Sequence, residues 1–399
     1  MTIGIDASRA FLKRRTGIEE SAYQTIKHLR SVIPETDTVV LYVRKKLVIS
    51  SVIPAQAGIQ SGGFRIPLWI PGQARDDKKK KFLFFVVPEI DFELPKNWRV
   101  RGIWAPRFWT QIGLSLEMLF NSPDVLFIPA HTAPLIHPKK TIVTIHGLEY
   151  EFCQDGYSFL ERLYMRLSIR FSCWVAEMVI CVSENTKRDV MRLYGVPADK
   201  IVVIPEGYDR IKNQESRIKN ECRSPYLLFI GRLEERKNVV RITEAFEILK
   251  KKYAVSHKLV LVGKSGYGYK RIVTSILNSQ FSIHIKELGY VTEEEKWELL
   301  KNADVFLFPT LYEGFGIPVL EAQSVGVPVV ASNNSSLPEV AGEGAIYVNP
   351  QSAESIAEGI YRVLEDKGLR DGIIKKGLQN VERFSWQKCA KEIGEILRK

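Results

Sequence analysis

The stretch Leu311-Tyr312-Glu313-Gly314-Phe315-Gly316-Ile317-Pro318-Val319-Leu320-Glu321 decides the reading of this chain. It follows Val305–Phe308, a continuous apolar run of the kind expected of a strand covered on both faces. It then passes through two glycines into a helix that starts near Ile317. Gly314 and Gly316 let the backbone approach a ligand closely, and the free N–H groups of the helix start attract an anion. Pro318 suits a first helical turn, where no N–H is missed. Glu313 falls in the loop and Glu321 about one turn into the helix, so both can face one crevice at different depths. The plainer alternative is a glycine turn with one capping and one solvated glutamate.

Strands and helices alternate on both sides of this segment. In the second half, Tyr226–Ile230, Lys258–Val262, Val327–Ala331 and Ala345–Val348 read as further strands. Val239–Lys251, Glu293–Leu300, Ile317–Val325 and Ala353–Glu365 read as helices. The first half repeats the scheme with strands at Ile3–Ala7, Val39–Val43, Val125–Ile128, Thr141–Ile145, Met178–Val182 and Ile201–Ile204. Ile18, Ala22, Ile26 and Leu29 share one helical face, and Leu160, Leu163, Leu167, Phe171 and Trp174 mark another helix. The expected class is therefore α/β, with two doubly wound domains whose ligands bind outside the carboxyl ends of the strands.

Two segments break the pattern. Leu47–Lys81 shows neither period and holds the near-repeats IPAQAG (53–58) and IPGQAR (70–75) before four lysines. It reads as an insertion, since a structureless stretch of this length is improbable inside a compact domain. The tandem words RIKN at 210–213 and 217–220 read as a polar linker. The predicted organisation is a first domain over 1–209 with the insertion at about 47–81, a linker at 210–223, a second domain at 224–383, and a last helix at 384–399 that crosses back to the first domain.

The 399 residues are 45% hydrophobic and 26% charged, enough for full cores and unlike a disordered or disulfide-built chain. The densest apolar run, Phe82–Val87, is far too short for a membrane span, and the opening residues do not resemble a signal peptide. Five cysteines without a CxxC pair fit reduced thiols. A formal charge of +11 favours an anionic partner without choosing it.

The quoted segment resembles the signature of the retaining glycosyltransferases of family 4, which have the GT-B fold of two Rossmann-like domains facing a central cleft. The likeness extends to Arg232-Leu233-Glu234-Glu235-Arg236-Lys237, similar to the family's Arg-x(4)-Lys turn, and to Leu288-Gly289-Tyr290-Val291. It also includes Ser332–Gly342, Phe384-Ser385-Trp386, the glycine loop Thr16-Gly17-Ile18, Val143-Thr144-Ile145-His146-Gly147, Val182-Ser183-Glu184 and Ile204–Asp209. The chain departs from the common pattern at Glu19, Gly147 and Glu206, where members often carry Gly, Asp and Asn.

The resemblance implies a donor site for a nucleotide-sugar. Arg232 and Lys237 would hold the diphosphate and stabilise the charge of the leaving group in place of a metal. By residues alone they are two cations on a charged turn. Glu321 would accept from the ribose hydroxyls and Glu313 from the sugar. The backbone of Gly314, Phe315, Gly316 and Ile317 would support both, with Tyr290 and Val291 against the base. Gly17 would help bind the anion, although an ordinary helix-entry glycine fits it equally well. His146, by position an ordinary strand-end histidine, would sit beside the donor sugar and acceptor. Glu149 and Glu151 read as surface charges.

The expected activity is transfer of a hexose, mannose the first choice, to a saccharide or lipid-linked saccharide with retention, in polysaccharide or lipopolysaccharide assembly. No cofactor or metal is expected. The alternatives are an inactive sugar-nucleotide-binding protein and a GT-B synthase acting on a soluble sugar. A cytoplasmic location is expected, with a peripheral contact at the inner face of the plasma membrane as a softer reading. That reading rests on Trp98, Trp104 and Trp109 among Arg99, Arg101 and Arg107, and on Arg162, Arg166 and Arg170 opposite Leu160, Leu163 and Leu167. A charged solvated face with core aromatics is the plainer reading. No nucleic-acid partner is expected, because no recognised module accompanies the charge.

Overall fold

The computed structural model describes residues 1–12, 15, 17–50, 82–105, 107–208 and 224–399. The expectations for Thr16, Asp209, Cys222, residues 51–81 and the 210–223 linker lie outside them. The strands of the first half are β1 (Thr2–Asp6), β2 (Thr38–Arg44), β3 (Lys46–Ser50), β4 (Phe82–Val86), β5 (Trp98–Ile103), β6 (Val125–Ile128), β7 (Lys140–Ile145), β8 (Met178–Cys181) and β9 (Ile201–Val203). Seven of them form one sheet in the order β5-β2-β1-β6-β7-β8-β9. The pairs of β1 with β2 and β6, of β2 with β5 and of β6 with β7 are parallel. The second half contributes β10 (Tyr226–Ile230), β11 (Lys258–Val262), β12 (Ile285–Gly289), β13 (Val305–Phe308), β14 (Val329–Ser332) and β15 (Ala345–Val348). They form a parallel six-stranded sheet in the order β12-β11-β10-β13-β14-β15. Both sheets are the Rossmann-like, doubly wound kind expected.

The chain divides into two compact units: Met1–Thr144 with Ser168–Val179 and Ala390–Lys399, and Ile145–Leu167 with Ile180–Cys389. In the first, Ile3, Ile5, Ile26, Leu29 and Leu41 are fully buried. The last helix, Trp386–Arg398, lends it Gly394, where a Cβ would stand 2.5 Å from Val32, and Lys140 Nζ donates to Leu397 O at 3.1 Å. In the second unit, Leu228, Phe229, Leu261, Phe306, Phe308 and Val330 fill the core under the six-stranded sheet.

Three departures from the sequence expectations in the first half of the chain have a physical reason. Residues 47–50 are not period-free insertion: they belong to β3, which pairs antiparallel with β4, with Ser50 opposite Phe82. β5 was not among the expected strands, which were sought as continuous apolar runs, although Trp98 and Val100 alternate with Arg99 and Arg101 at the period of a half-buried strand. It is an edge strand, where exposed charges guard against unwanted pairing. Third, the apolar stripe of the helix Phe159–Val175 does not face a core: Leu160 and Trp174 are 75% and 76% exposed. Ile169, Ser172 and Cys173 form its buried side, and Ser172 Oγ accepts from Ala133 N at 2.8 Å. Ile169, Ser172 and Cys173, not the leucines, set its packing. Trp98 and Trp109 are buried and only Trp104 of that trio is exposed.

Candidate active site

The loop Pro309–Gly316 leaves β13 and is held almost atom by atom. Leu311 N donates to Arg236 O at 2.8 Å, which ties the loop to the 3-10 turn Glu235–Lys237. Asn238, in left-handed conformation at φ 64°, donates from Nδ2 to Pro309 O and Pro350 O. The segment Ser332–Ser336 cradles the opposite side. Ser335 Oγ accepts from Glu313 N at 3.1 Å, and Ser336 Oγ donates to Glu313 O and Phe315 O at 2.9 and 2.8 Å. Ser183 caps the helix Glu184–Tyr194, accepting from Thr186 N, and both Ser183 Oγ and Thr186 Oγ1 donate to Gly314 O.

Gly314 admits no other residue. A Cβ there would lie 1.5 Å from the carbonyl oxygen of His146. That close approach puts the end of β7 directly against the loop. Gly316 then caps the helix Ile317–Ser324 at φ 114°, with Pro318 in its first turn. Phe315 is buried in an apolar cluster with Leu320, Val340 and Phe384, so only its backbone can face a ligand.

The charged groups form a compact network. Lys237 Nζ donates to Glu313 Oε1 at 2.7 Å, with both side chains 10% exposed. Burial pushes the lysine pKa down from its ordinary value, Glu313 pulls it back, and Arg236 opposes Glu313. Arg236 lies 3.6 Å from Glu313 and 2.7 Å from Glu234. Its Nε and the Glu234 oxygen are close but not aligned for a hydrogen bond, so the contact is ionic. Burial works against the Arg236 charge, and Glu313, Glu234 and Glu149 outweigh it, holding the guanidinium firmly protonated. Arg232 is 60% exposed and lies 3.9 Å from Glu234.

One helical turn on, Glu321 accepts from Lys296 Nζ at 2.8 Å, and Lys296 also pairs with Glu293. Burial disfavours the Lys296 charge, yet Glu321 and Glu293 together raise its pKa. Tyr290, half exposed just after β12, lies under Lys264 Nζ at 4.7 Å. Val291 is half-buried beside it. His146 follows β7, and its Nδ1 lies 2.9 Å from Glu206 Oε1.

The structure thus brings together Glu313, Lys237, Gly314, Gly316 and the His146 backbone, with Arg232 on the same turn as Lys237. Glu321 carries its own ion pair. Gly17 belongs to the first unit, where it starts the helix Gly17–Leu29 at φ 31°. Glu149 and Glu151 are not surface charges. Glu149 is half-buried, its Oε2 3.3 Å from where a Gly147 Cβ would stand. Glu151 binds Arg166 through Nε at 2.7 Å and accepts from Tyr194 at 3.1 Å, and these hydrogen bonds hold its pKa low. Sequence reasoning missed Arg236, Glu234 and Lys296. Arg236 and Glu234 lie inside the quoted Arg-x(4)-Lys turn, so their place was visible although their burial was not.

Residues 58–211 match the model of glycosyltransferase family 4, and residues 211–380 that of glycosyl transferases group 1. The chain is 30% identical to the O-antigen chain mannosyltransferase B of Escherichia coli over 261 residues, 63% of this chain and 68% of that protein. The chain belongs to the family 4 glycosyltransferases. This family 4 glycosyltransferase is also 33% identical over 334 residues to an uncharacterized glycosyltransferase of Methanocaldococcus jannaschii, covering 75% of this chain and 84% of the relative. Its fold is GT-B. Sucrose-phosphate synthase from Thermosynechococcus elongatus superposes with a TM-score of 0.71 at 17% identity, over 100% of this chain and 98% of that one. WaaG, a glycosyltransferase involved in lipopolysaccharide biosynthesis, gives 0.67 at 14%, over 100% and 99%.

Proposed function

We propose that the enzyme transfers a hexose, mannose first, from a nucleotide-sugar to a saccharide or lipid-linked saccharide, with retention and without a divalent metal, in polysaccharide or lipopolysaccharide assembly. The observation that carries this reading is the Lys237–Glu313 pair, buried beneath a glycine loop at a helix start, with Arg232 on the same turn. The O-antigen mannosyltransferases among the relatives support mannose. Residues 224–383 serve as the donor domain and residues 1–209 as the acceptor side.

In this mechanism Arg232 and Lys237 meet the diphosphate and stabilise charge as the glycosidic bond to phosphate breaks. An ammonium has three donors and a carboxylate about four acceptor sites. The shared bond therefore leaves Lys237 capacity for phosphate and Glu313 capacity for sugar hydroxyls. Glu321 accepts from the ribose, Tyr290 and Val291 meet the base, and His146 lies beside the sugar, while Gly17 supports an anion at its own helix start. The leaving phosphate takes the acceptor proton on the face it departs from.

A peripheral membrane contact has its own support in the first unit. Phe108, Leu116, Phe120, Leu135, Ile136 and Trp174 are exposed, with Arg107 and Arg170 exposed among them. Ser115 Oγ accepts from Leu135 N and Ile136 N, while Ser172 Oγ accepts from Ala133 N, so the loop that carries Leu135 and Ile136 joins the helix Ser115–Phe120, with Leu116 and Phe120, to the helix of Arg170 and Trp174. Apolar groups among cations suit an anionic lipid surface. Co-sedimentation with anionic but not neutral vesicles tests it.

A panel of nucleotide-sugars against soluble and lipid-linked saccharides tests the main reading, with the anomeric configuration of the product read by NMR. Saturable donor binding without turnover would establish the binding-protein alternative instead. Preference for a free monosaccharide would favour the soluble-sugar synthase.

A further inference from the structure

His146 and Glu206 come from different strand ends, and both are anchored by backbone fit rather than by their side chains. The His146 carbonyl abuts Gly314, where a Cβ would stand 1.5 Å away. Glu206 is followed by Gly207, whose Cβ would lie 2.2 Å from Trp386 N and 2.6 Å from the Ser385 carbonyl carbon. Neither residue can shift without moving a packed main chain. Between these anchors the side chains meet at 2.9 Å, 9% and 8% exposed.

A carboxylate accepts hydrogen bonds and donates none, whereas an amide does both. Facing a carboxylate, the ring nitrogen at 2.9 Å must carry a proton; facing an amide, it can be bare. The partner at one imidazole nitrogen therefore sets the chemistry of the other. We propose that Glu206 is a positioning residue for His146: it keeps a proton on Nδ1, so that Nε2 is the nitrogen that accepts a hydrogen bond from a donor-sugar or acceptor hydroxyl. This rests on the reading that the sugar binds beside His146. The arrangement follows the general logic by which a carboxylate behind an imidazole fixes ring orientation and tautomer.

Glu206→Gln keeps the shape and removes the obligatory acceptor, while Glu206→Asp keeps the charge and shortens the reach. Full-length protein labelled with 15N-histidine, with His146→Asn used for assignment, reports the tautomer directly by two-dimensional 1H–15N NMR above the imidazole titration. The expected wild-type state is the Nδ1–H tautomer, with the Nε2–H tautomer gaining population in Glu206→Gln. Steady-state kinetics should show kcat lower by on the order of 10- to 100-fold in Glu206→Gln with donor KM little changed, and partial recovery in Glu206→Asp. A wild-type Nε2–H tautomer, or a Glu206→Gln variant with unchanged tautomer and kcat, overturns the inference. The NMR readout needs no turnover. If no sugar is ever transferred, the proposed function fails while the tautomer result still decides the role of Glu206.

Discussion

Lys237 Nζ and Glu313 Oε1 are 2.7 Å apart, and this buried ion pair joins the Arg-x(4)-Lys turn to the glycine loop. Breaking a buried pair from one side leaves an uncompensated charge, which costs about 3–5 kcal/mol. Arg236, at 3.6 Å from Glu313, offsets part of that cost. Lys237→Ala should therefore lower both thermal stability and turnover. Arg232→Ala, at an exposed site, should leave stability within about 0.5 kcal/mol. Each should reduce kcat/KM by on the order of 100-fold or more, as loss of one charge-stabilising donor does. Thermal melts run beside kinetics check both, and near-normal kcat/KM in either variant would remove that residue from the phosphate site.

The two glutamates should separate by assay. Glu321 is held by Lys296, so Lys296→Met should weaken binding of the nucleoside diphosphate by about 10-fold, the worth of one charged hydrogen bond. Glu321→Ala should weaken it further. Glu313→Ala should impair transfer more than nucleoside-diphosphate binding. Calorimetry with the nucleoside diphosphate, paired with transfer rates, reads the difference; identical behaviour of the two glutamate variants would cancel the division of roles.

Alkaline pH offers a third check. Burial lowers the Lys237 pKa below its ordinary 10.5 in the unliganded protein. A bound diphosphate raises it again by attraction. Between those two values binding takes up a proton, so affinity falls as pH rises. Titrations from about pH 7 to about pH 10 should show this loss beginning below the ordinary lysine range. Lys237→Arg, which stays charged, should flatten the curve. An affinity independent of pH across that window in the unmutated enzyme would contradict the assignment.

How far the sequence carries the structure depends on what each feature needs. Continuous apolar runs such as Val305–Phe308 and Val125–Ile128 became strands with the same bounds, because a buried parallel strand has little choice of residue. Gly314, Gly316 and Pro318 located the loop, since their backbone demands are local. Partnerships between distant residues were not legible. Glu321 and Lys296 are 25 positions apart, and His146 and Glu206 are 60, so neither pair has a local signature. Burial of single charges was also hidden: Lys237 and Arg232 look alike as text, yet one is nearly enclosed and the other 60% exposed. The leucine stripe at 160, 163 and 167 failed for the opposite reason, because its period promises an apolar face but does not say what covers it.

Metal dependence follows from the proposed role of the cations. If Arg232 and Lys237 stabilise the leaving diphosphate, transfer should persist in excess chelator within about twofold of the untreated rate, a barrier change of under 1 kcal/mol. Activity that vanishes with chelator and returns with magnesium or manganese would assign that task to a metal.

The pairing of Ser50 with Phe82 makes the last prediction concrete. Because β3 and β4 run antiparallel and end face to face, the chain needs only a short turn to join them. Two-residue turns of the Asn-Gly type close such hairpins with the right twist. Replacing residues 51–81 by Asn-Gly should therefore preserve the fold. Closing a longer loop costs only about 0.6 kcal/mol per doubling, so the replacement should change stability little and in the favourable direction. The near-repeats at 53–58 and 70–75 resemble the two arms of a palindromic element read through in frame. The coding DNA should then carry an inverted repeat across codons 52–77. Circular dichroism, a thermal melt and a transfer assay on the shortened enzyme check the outcome. A shortened enzyme that melts as before but no longer transfers sugar would show that the inserted residues have acquired a part in catalysis.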